Sequence, residues 1–165
     1  MATQYLLSGH PITKTIGYLG DEQMTADGSS DMVPRVVALP SAETVAEGLS
    51  KLSPAHAGVA RAMDYVALHY AEKFPARDIA EHCGLSRFQF SRSFHTAFGM
   101  TFREYLLRYR IVAACQRLRE ANTAVTEIAF AVGFHDGSYF ARMFRRYTGM
   151  LPSQYARWYA IDRPD

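Results

Sequence analysis

From Val59 onward the apolar residues recur mainly three and four positions apart, the spacing of one helix face. Val59, Met63, Val66 and Tyr70 make one such stripe, opened by Ser53-Pro54 as N-cap and N1 proline and stopped before Pro75. Phe90, Phe94 and Phe98 make a second. A longer one runs through Phe102, Tyr105, Leu106, Tyr109, Val112, Ala113 and Leu118, and predicts a helix over 101–120. Phe140, Phe144 and Tyr147 make a fourth, and Pro152 starts a last helix through Tyr155 and Trp158. The punctuation agrees. Ser86 with Gln89 and Thr101 with Glu104 read as capping boxes, and Asp136 as an N-cap. Gly84, Gly99, Gly133 and Gly149 stand where helices end. The pattern predicts an all-α chain.

The stripes come in two copies. Ile79-Ala80 followed by Gly84-Leu85 returns 49 residues later as Ile128-Ala129 followed by Gly133-Phe134. Phe90, Arg92, Phe94, Gly99, Met100 and Tyr105 return 50 residues later as Phe140, Arg142, Phe144, Gly149, Met150 and Tyr155. An ordered set over 27 positions with a single one-residue slip is a duplication, not coincidence. Each copy is a short helix, a glycine turn and a second amphipathic helix, which describes a helix-turn-helix. Ala80 and Ala129 leave room where the two helices cross. The copies span about 75–99 and 125–149, joined by the helix over 101–120.

Charge sharpens the division. Residues 1–58 carry three basic against six acidic residues, whereas 59–165 carry fifteen against ten. Nineteen of the twenty-one aromatics also lie after residue 58, so the core is C-terminal and basic. Fifteen of the eighteen basic residues are arginine, whose planar fork suits phosphate and guanine better than an ammonium does. Two cysteines cannot build a disulfide framework, no apolar run spans a membrane, and the first residues lack a secretory pattern. A cytoplasmic, nucleoid-associated protein without membrane partner is expected. Nothing resembles a P-loop, a catalytic triad or a carboxylate pair, so no catalytic residue, metal ligand or cofactor is assigned.

With these residues in hand, the chain resembles the DNA-binding domain of the AraC/XylS family of bacterial transcription regulators. The likeness covers roughly 55–160. It is densest over Glu127–Arg157, EIAFAVGFHDGSYFARMFRRYTGMLPSQYAR, and extends to DIAEHCGLSRFQFSRSF over Asp78–Phe94. The resemblance implies about seven helices, two helix-turn-helix units held by a connecting helix, and recognition helices inserted into successive major grooves of double-stranded DNA. It also implies an activator, with RNA polymerase as a further partner.

On the first recognition helix the core stripe leaves Arg87, Ser91, Arg92 and His95 outward, with Phe88 beside them. On the second it leaves Ser138, Ala141, Arg142 and Arg145. Arg92 and Arg142, matched by the repeat, are assigned bidentate contacts to guanine. Ser91 and Ser138 join them as base-reading candidates. Phe88 fits either a thymine methyl or the core. Ser86, Arg87, His95, Arg145 and Arg146 are assigned to phosphates, which add affinity and orientation without sequence information.

Residues 1–54 are expected to be a short, poorly structured segment, a linker or small docking element. Within them 41–50 fits a short helix, 33–39 an extended stretch and 27–31 a turn. With only about 55 residues ahead of the DNA-binding part, a small-molecule effector is not expected to act within this chain. Two rivals are set against DNA reading. One is a protein-interaction module docking RNA polymerase or another regulator, and the other a thiol-based protein using Cys83.

Overall fold

The computed structural model describes residues 34–35, 37–120 and 123–161, with Ile161 as backbone alone. Among them are eight α-helices and one 3-10 helix, and no strand. In chain order these are α1 (Ala42–Ser50), the 3-10 helix Pro54–Ala60, α2 (Arg61–His69), α3 (Ala76–His82), α4 (Arg87–Phe98), α5 (Phe102–Glu120), α6 (Val125–Ala131), α7 (Gly137–Thr148) and α8 (Pro152–Ile161). The expected turn over 27–31 lies outside the described residues. Of the expected extended stretch, Pro34, Arg35 and Val37–Leu39 are described, and they form no strand.

The described chain divides into two compact units, one of Leu39–Arg110 and one of Ile111 onward with the stretch up to Ala38. In the first, the core is an aromatic cluster on α4 and the start of α5. Phe94 stacks on Phe98 at 4.1 Å and meets Phe102 edge-on at 5.3 Å, and Phe90 meets Phe102 at 5.3 Å. Val59, Val66 and Ile79 are fully buried in the same unit. Two arginines are spent on closing it. Arg61 Nη2 donates to the Cys83 carbonyl at the end of α3 (2.7 Å), and Arg110 donates to the carbonyls of Tyr70 (2.7 Å) and Glu72 (2.9 Å) after α2.

Two features of this unit differ from the pattern. The stripe from Val59 to Tyr70 predicts one helix from Pro54, but Pro54–Ala60 winds as a 3-10 turn before α2 begins. The Ser53 side chain caps no backbone N–H there; its hydroxyl pairs with His56 Nδ1 at 3.2 Å. Gly58 sits so close to α3 that an added Cβ would lie 2.5 Å from the Cys83 carbonyl. Second, α1 forms where 41–50 fits a short helix, but instead of belonging to a poorly structured segment it packs on α4. The contact is backbone to backbone: a Cβ on Gly48 would fall 2.3 Å from the Ala97 carbonyl oxygen.

The second unit repeats the first. Ile128, Ala129, Phe140 and Phe144 are buried as Ile79, Ala80, Phe90 and Phe94 are. Phe134 meets Phe140 at 5.0 Å, and Phe144 meets Tyr155 at 5.3 Å. The duplication reaches individual bonds in the turn. Leu85 N–H donates to the Ala80 carbonyl at 2.9 Å, and Phe134 N–H to that of Ala129 at 3.0 Å. Both are the long closing bond of a helix C-cap, which requires a left-handed residue between. Gly84 (φ +70°) and Gly133 (φ +90°) supply it without the Cβ penalty. At the far end of α7, the buried Thr148 carbonyl accepts the Arg35 N–H at 2.8 Å, which fastens the stretch before Ala38 to this unit.

Candidate nucleic-acid interface

Each second helix of a helix-turn-helix has a dry face and a wet one. In α4 the dry face is Phe90, Ser93, Phe94, Ala97 and Phe98. In α7 it is Phe140, Phe144 and Thr148. The candidate residues Ser86, Arg87, Phe88, Ser91, Arg92 and His95 are all exposed on α4 or its cap, and Ser138, Arg142, Arg145 and Arg146 are exposed on α7. Helical spacing sets Arg87, Ser91 and His95 in one row and Phe88 and Arg92 in the next. In α7, Ser138, Arg142 and Arg145 or Arg146 follow one another by turns. Phe88, open at the sequence level between core and ligand, is 70% exposed. It does no core work.

Each helix start is capped by a side chain of its own. Ser86 Oγ accepts the Gln89 N–H at 3.3 Å, while Gln89 Oε1 accepts the Ser86 N–H at 3.0 Å, a complete capping box. The Ser86 hydroxyl keeps its own proton, so it can still donate to a phosphate oxygen. In α7 the Asp136 carboxylate accepts the Tyr139 N–H at 2.5 Å. One of its oxygens is therefore turned back on the helix, and its charge is partly offset by the helix N-terminus.

The two matched arginines are not free-standing. The Arg92 guanidinium lies 5.4 Å from the centre of the Phe88 ring, and that of Arg142 lies 6.0 Å from the centre of the Tyr139 ring. Tyr139 is absent from the set read off the core stripe, which tracks the buried face and ignores the neighbours of an exposed arginine. An aromatic one turn ahead of Arg142 was the available signal.

Cys83 does not fit a thiol chemistry. It is 1% exposed, and burial pushes its thiol up to about 11, so at neutral pH it is neither ionised nor accessible. Cys115 is held up to about 12, again chiefly by burial. Among the described residues no group of three or more His, Cys, Asp or Glu is placed to hold a metal ion, and no helix is long and apolar enough to cross a membrane.

Residues 79–157 match the family described as a helix-turn-helix domain. The MmsAB operon regulatory protein of Pseudomonas aeruginosa is 31% identical over 117 residues, covering 71% of this chain and 36% of that protein. Among solved structures, the C-terminal domain of the two-component response regulator yesN from Fusobacterium nucleatum is 31% identical with a TM-score of 0.56, over 58% of this chain and 94% of that one. The DNA-binding domain of AdpA, solved in complex with a target DNA, is 27% identical with a TM-score of 0.62, over 66% of this chain and 97% of that one. The chain spans less than half the length of the curated relatives it matches. By its duplicated helix-turn-helix, its matched span and these kinships, the chain belongs to the AraC-type family of helix-turn-helix transcription regulators.

Proposed function

We propose that this chain binds double-stranded DNA sequence-specifically and activates transcription, with α4 and α7 each reading one of two successive major grooves. The observation that carries this is the exposure of Arg92 and Arg142 at matched positions of two duplicated second helices whose other face is buried. A helix-turn-helix reads bases from the first turns of its second helix. Arg92 and Arg142 take guanine O6 and N7, with Phe88, Ser91 and Ser138 on neighbouring base edges. Ser86, Arg87, His95, Arg145 and Arg146 take phosphates and set the register. The α5 helix is unbroken over 19 residues, roughly 28 Å at 1.5 Å per residue, commensurate with the ~34 Å recurrence of the groove. As an activator the chain contacts RNA polymerase at the promoter it occupies.

Selection of duplexes from a random pool, followed by footprinting, tests this. The expected outcome is a site protected over two adjacent turns. Arg92→Ala and Arg142→Ala are each expected to cost about 1–3 kcal/mol on that site and to relax one base position. Binding that stays indifferent to sequence in the unmodified chain, while polymerase is still captured, hands the case to the protein-interaction reading.

A further inference from the structure

We propose that Phe88 and Tyr139 are positioning residues for the two reading arginines, each ring holding its guanidinium so that the N–H edges stay presented to a base. This rests on the DNA-reading function above and names the device within it. The 5.4 Å and 6.0 Å separations lie within the range over which a cation is drawn to a ring face. A ring that meets the flat face of a guanidinium leaves free the forked edge that guanine O6 and N7 need. A side chain already held in part loses less freedom when it binds.

The repeat gives the strongest support. An offset of 50 carries Arg92 onto Arg142, but it carries Phe88 onto Ser138 and Gln89 onto Tyr139. The ring therefore stands four residues before one arginine and three before the other. Both spacings put it on the same side, one turn toward the helix start. What the copies share is the partnership, reached from two different positions.

Local structure explains the difference in position. In α4 the third helical position is taken by Gln89, whose carbonyl oxygen closes the capping box. The ring sits one place earlier instead. In α7 the cap is Asp136, which engages only the backbone N–H of the third residue and leaves its side chain free to be Tyr139. Tyr139 also rests against the buried Phe134, with ring centres 6.0 Å apart. Arg146 lies 5.9 Å from a ring as well, but that ring is the adjacent Tyr147, and the repeat puts Thr96 and Ala97 at the matching places.

The experiment uses the full chain and a duplex taken from the selection above. The guanines read by each arginine are located with Arg92→Ala and Arg142→Ala, then replaced singly by 7-deazaguanine, which lacks the N7 acceptor. The unmodified chain is expected to bind each substituted duplex more weakly. Phe88→Ala is expected to shrink that penalty about two- to fivefold at the Arg92 guanine alone, and Tyr139→Ala at the Arg142 guanine alone. Phe88→Tyr and Tyr139→Phe, which keep the rings, are expected to retain it, and the salt dependence of all four is expected to match the unmodified chain. If Phe88→Ala and Tyr139→Ala weaken native and substituted duplexes equally, the rings are plain contacts and the proposal falls while the DNA reading stands. If no duplex is selected at all, both fall.

Discussion

Burial, more than any neighbouring charge, raises two thiols and three phenols of this chain. It lifts Cys83 from an ordinary 9.0 to about 11 and Cys115 to about 12, and Tyr109 from 10.0 to about 12. Tyr105 and Tyr155 move the same way, also mainly through burial. In each case the unfolded chain gives up its proton first. Between the ordinary value and the raised one the folded state therefore holds more protons, and stability falls as pH rises. The contribution is complete below about pH 9 and is lost through pH 11–12. The melting temperature followed by circular dichroism is expected to hold to about pH 9 and then decline. A flat profile from pH 8 to 11.5 would show these groups to be hydrated. The same burial shields Cys83 from alkylating reagents in the native chain.

Where α1 packs on α4, a glycine makes the close approach. Gly48→Ala sets a Cβ against the Ala97 backbone, which cannot move aside as a side chain tip would. The α1 helix must then retreat from α4, an overpacking expected to cost about 1–3 kcal/mol in denaturant unfolding. Gly137→Ala is the control. It stands at the first position of α7 with nothing within 4 Å, and is expected to leave stability unchanged or raise it by up to about 1 kcal/mol through the unfolded chain. Equal effects at the two glycines would contradict the packing of α1 on α4.

The same helices show what the sequence makes legible. Ser86, Asp136 and the paired aromatics announce α4 and α7 because caps and helical periodicity are local signals, and the duplication repeats them. The span 41–50 reads as a helix, but its berth does not, since Gly48 carries no apolar side chain to advertise a partner. Thr101 and Glu104 read as a reciprocal cap. Thr101 Oγ1 does accept the Glu104 N–H at 3.2 Å, yet the Glu104 carboxylate is drawn forward to Arg108 at 2.7 Å. A charged partner one turn on outcompetes a backbone N–H. The outward set on α4 and α7 follows from the core stripe alone, whereas Tyr139 depends on where an arginine's long side chain comes to rest.

Net charge overstates the cationic surface available to a nucleic acid. Arg61 and Arg110 are bound to main-chain carbonyls, and Arg108 to Glu104. Composition counts these equally with Arg87, Arg145 and Arg146, which is why an arginine-rich sequence points to a partner class but not to a footprint. Each neutralised phosphate contributes a slope of about −0.9 to log Kobs against log salt on duplex DNA. With Arg87, Arg145 and Arg146 as the arginines of α4 and α7 assigned to phosphates, the slope is expected to be no steeper than about −3. Arg146→Ala is expected to flatten it by about one while weakening all sequences alike. A steeper slope would mean that cations on other helices reach the duplex.

The bond from the Arg35 N–H to the Thr148 carbonyl joins residues 113 positions apart, and it bears on how the chain matures as it leaves the ribosome. The unit of Leu39–Arg110 has all its described residues once Arg110 has emerged. The stretch beginning at Pro34 is made before any of them, yet its acceptor is translated 38 residues after Arg110. At roughly 5–20 residues per second that is a wait of about two to eight seconds. The stretch beginning at Pro34, among the first described residues to be made, is thus seated only when the second unit nears completion, with α8 still to come.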